Sequence, residues 1–149
     1  AAFEKFRPVC STGELQTCTK AEIDNAYDNS ILYTDHFLSR VIDFLKPYDG
    51  THETAMLYVS DHGESLGENN MYLHGAPYAF APDAQTHVPV VLWFGKNFDY
   101  PLDAAARHRD RPISHDDLFC SLLIAFERET RLCDRQKQIF SMHKDLRPG

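Results

Sequence analysis

The chain has 149 residues, enough for one domain with a hydrophobic core. Hydrophobic residues make up 43% of the chain and include ten Phe and seven Tyr, a composition that excludes intrinsic disorder. The net charge is −7 and the basic residues form no cluster, which argues against nucleic acid as a partner. No apolar stretch approaches the roughly 20 residues that are needed to span a membrane.

The four cysteines fall into two kinds. Cys10 and Cys18 bracket a short polar loop containing Gly13. They can form a local disulfide, which implies an oxidising compartment, or remain reduced surface thiols; we expect the disulfide. Closing this loop would stabilise the fold by roughly 2–3 kcal/mol in the chain-entropy model. Cys120 lies in an apolar helical pattern and is expected to be a small buried hydrophobic residue. We do not expect it to need Cys133 for folding.

A long helix is predicted over residues 19–45. Thr19 and Glu22 have the spacing of a capping box, and apolar residues then recur at intervals of three and four. Pro47 ends the helix. Asn29 is a poor helix former in a central position, which indicates a polar contact with the site loop described next, unless this helix face is simply solvated.

The most informative motif follows an apolar run at residues 55–60, which predicts a short buried strand. Asp61 and His62 come where this strand ends, the place where open α/β sheets carry ligand sites. Gly63 permits the break in the strand that would let both side chains converge. A carboxylate oxygen beside an imidazole nitrogen suits zinc. The alternative is a solvated turn.

The remaining elements indicate an α/β fold. Residues 61–87 show no helical or strand period, and a connection of that length is usually functional. The run at 88–94 is apolar throughout, which suits a strand covered on both faces, as in a parallel sheet. A further helix begins near residue 114. Two or three strands leave unpaired edges, so we expect this chain to be part of a larger sheet.

Taken together, these features resemble the C-terminal part of the periplasmic catalytic domain of lipid A phosphoethanolamine transferases. This group includes the mobile colistin-resistance enzymes and belongs to the alkaline phosphatase and sulfatase superfamily. The likeness rests on the Cys10 and Cys18 pair and on residues 26–29, 58–68, 72–82, 86–89 and 114–119. In combination and order these motifs are far more specific than Asp-His-Gly alone.

The resemblance implies a mixed, largely parallel sheet covered by helices on both faces. Residues 1–149 would be the C-terminal portion of a single periplasmic catalytic domain. The N-terminal half of that domain and the membrane domain would lie outside this chain, which begins with Ala and has no signal-peptide pattern. Cys120 and Cys133 fall outside the family's usual disulfide positions.

The resemblance also implies the site. Asp61 and His62 would be two ligands of the catalytic zinc, and His74 would hold the phosphoryl or phosphoethanolamine group, unless His74 is an ordinary loop histidine. Glu64 is expected to orient neighbouring groups rather than to bind metal. The family's other zinc ligands, a Glu and the nucleophilic Thr, belong to a more N-terminal segment without a counterpart here. We therefore expect residues 1–149 alone to be inactive.

The implied reaction is zinc-dependent transfer of phosphoethanolamine from phosphatidylethanolamine to lipid A through a phospho-Thr intermediate, in a periplasmic enzyme of the inner membrane that confers polymyxin resistance. The alternatives are a sulfatase, a phosphodiesterase or a glycerophosphate transferase of the same superfamily. A further alternative is a non-catalytic domain that binds metal or a lipid headgroup.

Overall fold

The structure is a computed structural model and describes residues 2–98, 110–128, 130–133 and 139. Within these residues it contains helices α1 (Lys20–Leu45), α2 (Asp83–Thr86) and α3 (Asp117–Ala125), and strands β1 (Ala55–Val59), β2 (Ser65–Leu66), β3 (Tyr72–Leu73) and β4 (Val90–Phe94). All elements except α3 belong to one compact unit, residues 1–97, and α3 belongs to a second, residues 98–149. The mixture of helices and strands confirms the α/β class.

None of the helices in the described ranges is long and apolar enough to cross a membrane.

The long helix α1 begins with the predicted capping box. The Thr19 hydroxyl accepts a hydrogen bond from the Glu22 backbone N–H, and the Glu22 carboxylate accepts one from the Thr19 backbone N–H at 2.8 Å. Hydrogen bonds from the backbone N–H and the hydroxyl of Thr19 lower the pKa of Glu22. The helix ends at Leu45, where a 3-10 turn containing Pro47 follows.

Asn29 contacts the N-terminal segment of the chain. Its side-chain oxygen accepts hydrogen bonds from the backbone N–H groups of Lys5 at 2.8 Å and Phe6 at 3.0 Å. Its amide nitrogen donates to the Phe6 carbonyl at 2.9 Å. The expected contact between Asn29 and the site loop is therefore wrong, because the amide is used to hold residues 5 and 6 against α1.

Strands β1 and β4 form an antiparallel pair in which Val59 lies opposite Val90 and Ala55 opposite Phe94. The parallel pairing expected for residues 88–94 is therefore wrong. An apolar run reports that both faces of a strand are covered, and it carries no information about strand direction. The strand begins at Val90 because Pro89 has no N–H to donate to the ladder.

The connection at 61–87 is more regular than the sequence predicts. Strands β2 and β3 form a small antiparallel hairpin, with Ser65 opposite Leu73. The one-turn helix α2 then packs its backbone against the end of β1: the Gly63 N–H donates to the Gln85 carbonyl at 2.9 Å. A Cβ on Gly63 would lie 2.0 Å from the Ala84 carbonyl oxygen. These elements are two and four residues long, too short to produce a detectable hydrophobic period.

Both cysteine pairs form disulfides. Cys10 is bonded to Cys18, as predicted, with a Cα–Cα distance of 5.7 Å. Cys120 is bonded to Cys133, with a Cα–Cα distance of 5.5 Å. Cys120 is buried, as expected. The sequence did not predict its bond to Cys133, and the expectation that folding does not need this pair stays a prediction. The chain turns back after α3, and this return places the second cysteine beside the helix.

We predict that each disulfide stabilises the protein by about 2.5–3 kcal/mol, since the bonds close loops with sequence separations of 8 and 13 residues. Peptide mapping without reduction should recover the two pairs separately. The variants Cys10→Ser/Cys18→Ser and Cys120→Ser/Cys133→Ser should each lose that stability in denaturant unfolding. Free thiols at Cys120 and Cys133 in protein from an oxidising compartment would contradict the second bond.

We further predict that Gly63→Ala destabilises the protein by about 1–3 kcal/mol, because the new methyl group meets the Ala84 carbonyl and forces α2 away from the end of β1. Gly50→Ala is the matched control, since a Cβ at that position would have no atom within 4 Å, and it should change stability by less than about 0.5 kcal/mol. Equal unfolding midpoints for the two variants would show that α2 does not depend on this close approach.

Candidate active site

The predicted site residues lie in a tight turn at the end of β1. The Ser60 hydroxyl donates to the His62 carbonyl at 2.8 Å, and the His62 backbone N–H donates to Asp61 Oδ1 at 3.1 Å. These bonds end the regular strand geometry, in which successive side chains point to opposite faces. As a result Asp61 Oδ2 lies 3.8 Å from His62 Nε2, so the structure brings the two predicted ligands together.

The His62 ring is held so that one nitrogen is free. Its Nδ1 lies 2.8 Å from the Gly63 carbonyl oxygen. A carbonyl can only accept a hydrogen bond, so Nδ1 carries the proton and Nε2 of the neutral ring keeps its lone pair. This is the arrangement in which a histidine can bind a metal ion.

The hairpin brings Glu64 and His74 together. Glu64 precedes β2 and His74 follows β3, so the pairing of Ser65 with Leu73 places them opposite each other at the open end. Glu64 Oε2 accepts a hydrogen bond from His74 Nδ1 at 3.1 Å. The carboxylate therefore fixes the orientation of the His74 ring and leaves Nε2 for other contacts.

The His62 side chain contacts both Asp61 and the Glu64–His74 pair. The rings of His62 and His74 stack with centroids 3.8 Å apart and an interplanar angle of 27°. In the part of the chain that the structure describes, His62, Glu64 and His74 form a potential metal-binding group whose ligand atoms lie within 4.8 Å of one another. The hydrogen bond from His74 fits the expectation that Glu64 orients a neighbouring group, but the sequence did not identify His74 as that group, because the contact depends on a hairpin too short to recognise.

This arrangement fits a divalent cation. Glu64 Oε1 is buried and has no hydrogen-bond partner among the described residues, and a buried carboxylate oxygen in that state is stabilised by a positive charge. Two ligands of a tetrahedral zinc ion, bound at about 2.0–2.1 Å, lie about 3.4 Å apart. The 3.8 Å between Asp61 Oδ2 and His62 Nε2 is close to that separation. Carboxylate oxygens and imidazole nitrogens are both zinc ligands.

The chain is similar to phosphoethanolamine transferases of known sequence. It is 46% identical over 125 residues to phosphatidylethanolamine transferase Mcr-2 of Escherichia coli, covering 84% of this chain and 22% of that protein. It is 44% identical over 126 residues to phosphoethanolamine transferase EptA of Escherichia coli (strain K12), covering 81% of this chain and 23% of that protein. The chain thus spans less than a quarter of the length of these curated relatives.

A solved structure shows the same similarity. The soluble domain of lipooligosaccharide phosphoethanolamine transferase A from Neisseria meningitidis superimposes with a TM-score of 0.88 at 41% sequence identity. The match covers 93% of this chain and 43% of that domain. These similarities confirm the resemblance to phosphoethanolamine transferases. The sulfatase family model matches residues 1–127, most of the chain, and the protein therefore belongs to the sulfatase family.

Proposed function

We propose that this chain is the C-terminal part of the catalytic domain of a phosphoethanolamine transferase. The observation that carries the proposal is that His62 lies close both to Asp61 and to the Glu64–His74 pair at the end of β1. The relatives support the chemistry: Mcr-2 is named for phosphatidylethanolamine, and the Neisseria enzyme for the transfer of phosphoethanolamine to lipooligosaccharide. We take phosphatidylethanolamine as the donor and lipid A as the acceptor.

Asp61 and His62 would hold a zinc ion, with the free Nε2 of His62 and a carboxylate oxygen of Asp61 as ligands. Zinc in such a site lowers the pKa of a coordinated hydroxyl and offsets negative charge on a phosphoryl group. Two protein ligands are fewer than the three or four that a zinc site normally has. The remaining ligands, a Glu and the nucleophilic Thr, would come from the N-terminal part of the catalytic domain, outside these 149 residues.

His74 acts on the transferred group. Its ring is held by Glu64 through Nδ1, so Nε2, when both ring nitrogens carry protons, is the nitrogen that would donate a hydrogen bond to a phosphoryl oxygen or a proton to the leaving oxygen. Glu64 orients His74, and the stacked His62 ring limits its movement. The two carboxylates keep the site negatively charged, which favours both the metal ion and the ammonium group of ethanolamine.

The same proposal places the protein in the periplasm. Two disulfides indicate folding in an oxidising compartment. The donor and acceptor are membrane lipids, and attachment to the inner membrane would come from a domain outside this chain.

We predict that His62→Ala or Asp61→Ala in the complete protein abolishes transfer and removes zinc, because each variant deletes a ligand. His74→Ala should leave zinc in place and lower kcat by roughly 10²–10⁴-fold if His74 is a general acid, or raise KM if it only binds the substrate. Zinc content of the purified protein and the mass of lipid A from cells measure the two effects. His52→Ala, at an exposed histidine before β1, is the control and should match wild type.

Wild-type lipid A modification by His62→Ala would show that this segment is not the catalytic site. Hydrolysis of sulfate esters by the complete wild-type protein, without phosphoethanolamine transfer, would instead support the sulfatase alternative.

A further inference from the structure

One buried side chain links the segments that carry the site residues. Gln85, in α2, is 7% exposed. Its Nε2 donates to the Ser65 hydroxyl at 2.8 Å, and its Oε1 accepts from the Ala76 backbone N–H at 3.2 Å. Its backbone carbonyl accepts from the Gly63 N–H at 2.9 Å. Besides the bond from its own N–H to the Pro82 carbonyl within the turn of α2, this single residue therefore makes three hydrogen bonds to three separate positions of the chain.

Each of these partners is close in sequence to a proposed site residue. Gly63 follows His62, Ser65 follows Glu64, and Ala76 is two residues beyond His74. The hydrogen bonds of Gln85 therefore join the turn after β1, the first strand of the hairpin and the chain that leaves its second strand. A shift of Gln85 would be transmitted to all three segments at once.

We propose that Gln85 is a positioning residue, which sets the separation between His62 and the Glu64–His74 pair. The inference rests on the proposed function, since it assigns Gln85 to the same site. Positioning matters because a displacement of about 1 Å between reacting groups can lower a rate about 10²-fold.

An amide side chain is required at this position. Ser65 is 1% exposed, so its hydroxyl cannot exchange the bond from Gln85 for one to water. The side chain at position 85 must also present an acceptor to the Ala76 N–H. Met has a similar shape without either group, and ionised Glu lacks the donor. Glycine at 63 allows the α2 backbone to approach the turn, and the amide then fixes the hairpin to α2.

Thr54 provides a comparison within the same unit of the protein. It is 7% exposed, its hydroxyl donates to Asp49, and its carbonyl accepts from the Gly95 N–H at 2.8 Å. Its network thus resembles that of Gln85 in burial and in joining separate segments. Thr54 precedes β1, however, about 20 Å along the strand from the turn that carries His62.

The test uses the complete protein with phosphatidylethanolamine in mixed micelles, release of diacylglycerol as the activity, and titration with zinc. Gln85→Met should lower kcat about 10²-fold with KM changed less than about threefold, and weaken zinc binding about tenfold. Ser65→Ala, which deletes one of the bonds, should weaken zinc binding by a few-fold to about tenfold. The double variant should be no worse than Gln85→Met, because the two side chains act as a unit.

Thr54→Val is the matched control. It should lower the unfolding midpoint as Gln85→Met does and leave kcat and the zinc Kd within about twofold of wild type. If Gln85→Met does not fold, the test uses the zinc Kd of Ser65→Ala instead. A zinc Kd equal to that of wild type would then overturn the inference. Gln85→Met with the kcat and zinc Kd of Thr54→Val would also overturn it. Full activity of His62→Ala would instead overturn the proposed function, so the two failures are distinguishable.

Discussion

The site depends on the close approach of α2 to the turn after β1. The Ala84 carbonyl occupies the space that a side chain at position 63 would need, and the next carbonyl, that of Gln85, accepts the Gly63 N–H. This contact holds the turn in the shape in which Asp61 and His62 converge. It also places the Gln85 side chain where it reaches the hairpin, and the hairpin carries Glu64 and His74. A residue without a side chain at position 63 is therefore a condition for the whole arrangement.

The electrostatics of the site follow from this geometry. Asp61 and Glu64 both lie close to His62, whose Nδ1 is bonded to the Gly63 carbonyl, so that the neutral ring has its lone pair on Nε2. One carboxylate oxygen of Glu64 accepts a hydrogen bond from His74 Nδ1. The other is buried and has no hydrogen-bond partner among the described residues. Two carboxylates and the lone pair on Nε2 of His62 make this a site that favours a cation. We propose that this cation is zinc, which binds both carboxylate oxygens and imidazole nitrogens.

Sequence reasoning identified the elements whose signals are local. The capping box at Thr19, the apolar strand before Asp61 and the Cys10–Cys18 bond all depend on residues close together in the chain. What it missed depends on tertiary contacts. The direction of β4, the bond between Cys120 and Cys133 and the approach of Glu64 to His74 are set by how the chain returns on itself. The strands β2 and β3 are also too short for their sequence pattern to predict the hairpin.

We propose that Asp61 and His62 hold the metal ion used in transfer. Anomalous diffraction at the zinc absorption edge, from crystals of the complete catalytic domain, would locate this ion. We expect a peak about 2.0–2.2 Å from Nε2 of His62 and from a carboxylate oxygen of Asp61. An active protein whose zinc lies away from both residues would show that Asp61 and His62 are not its ligands.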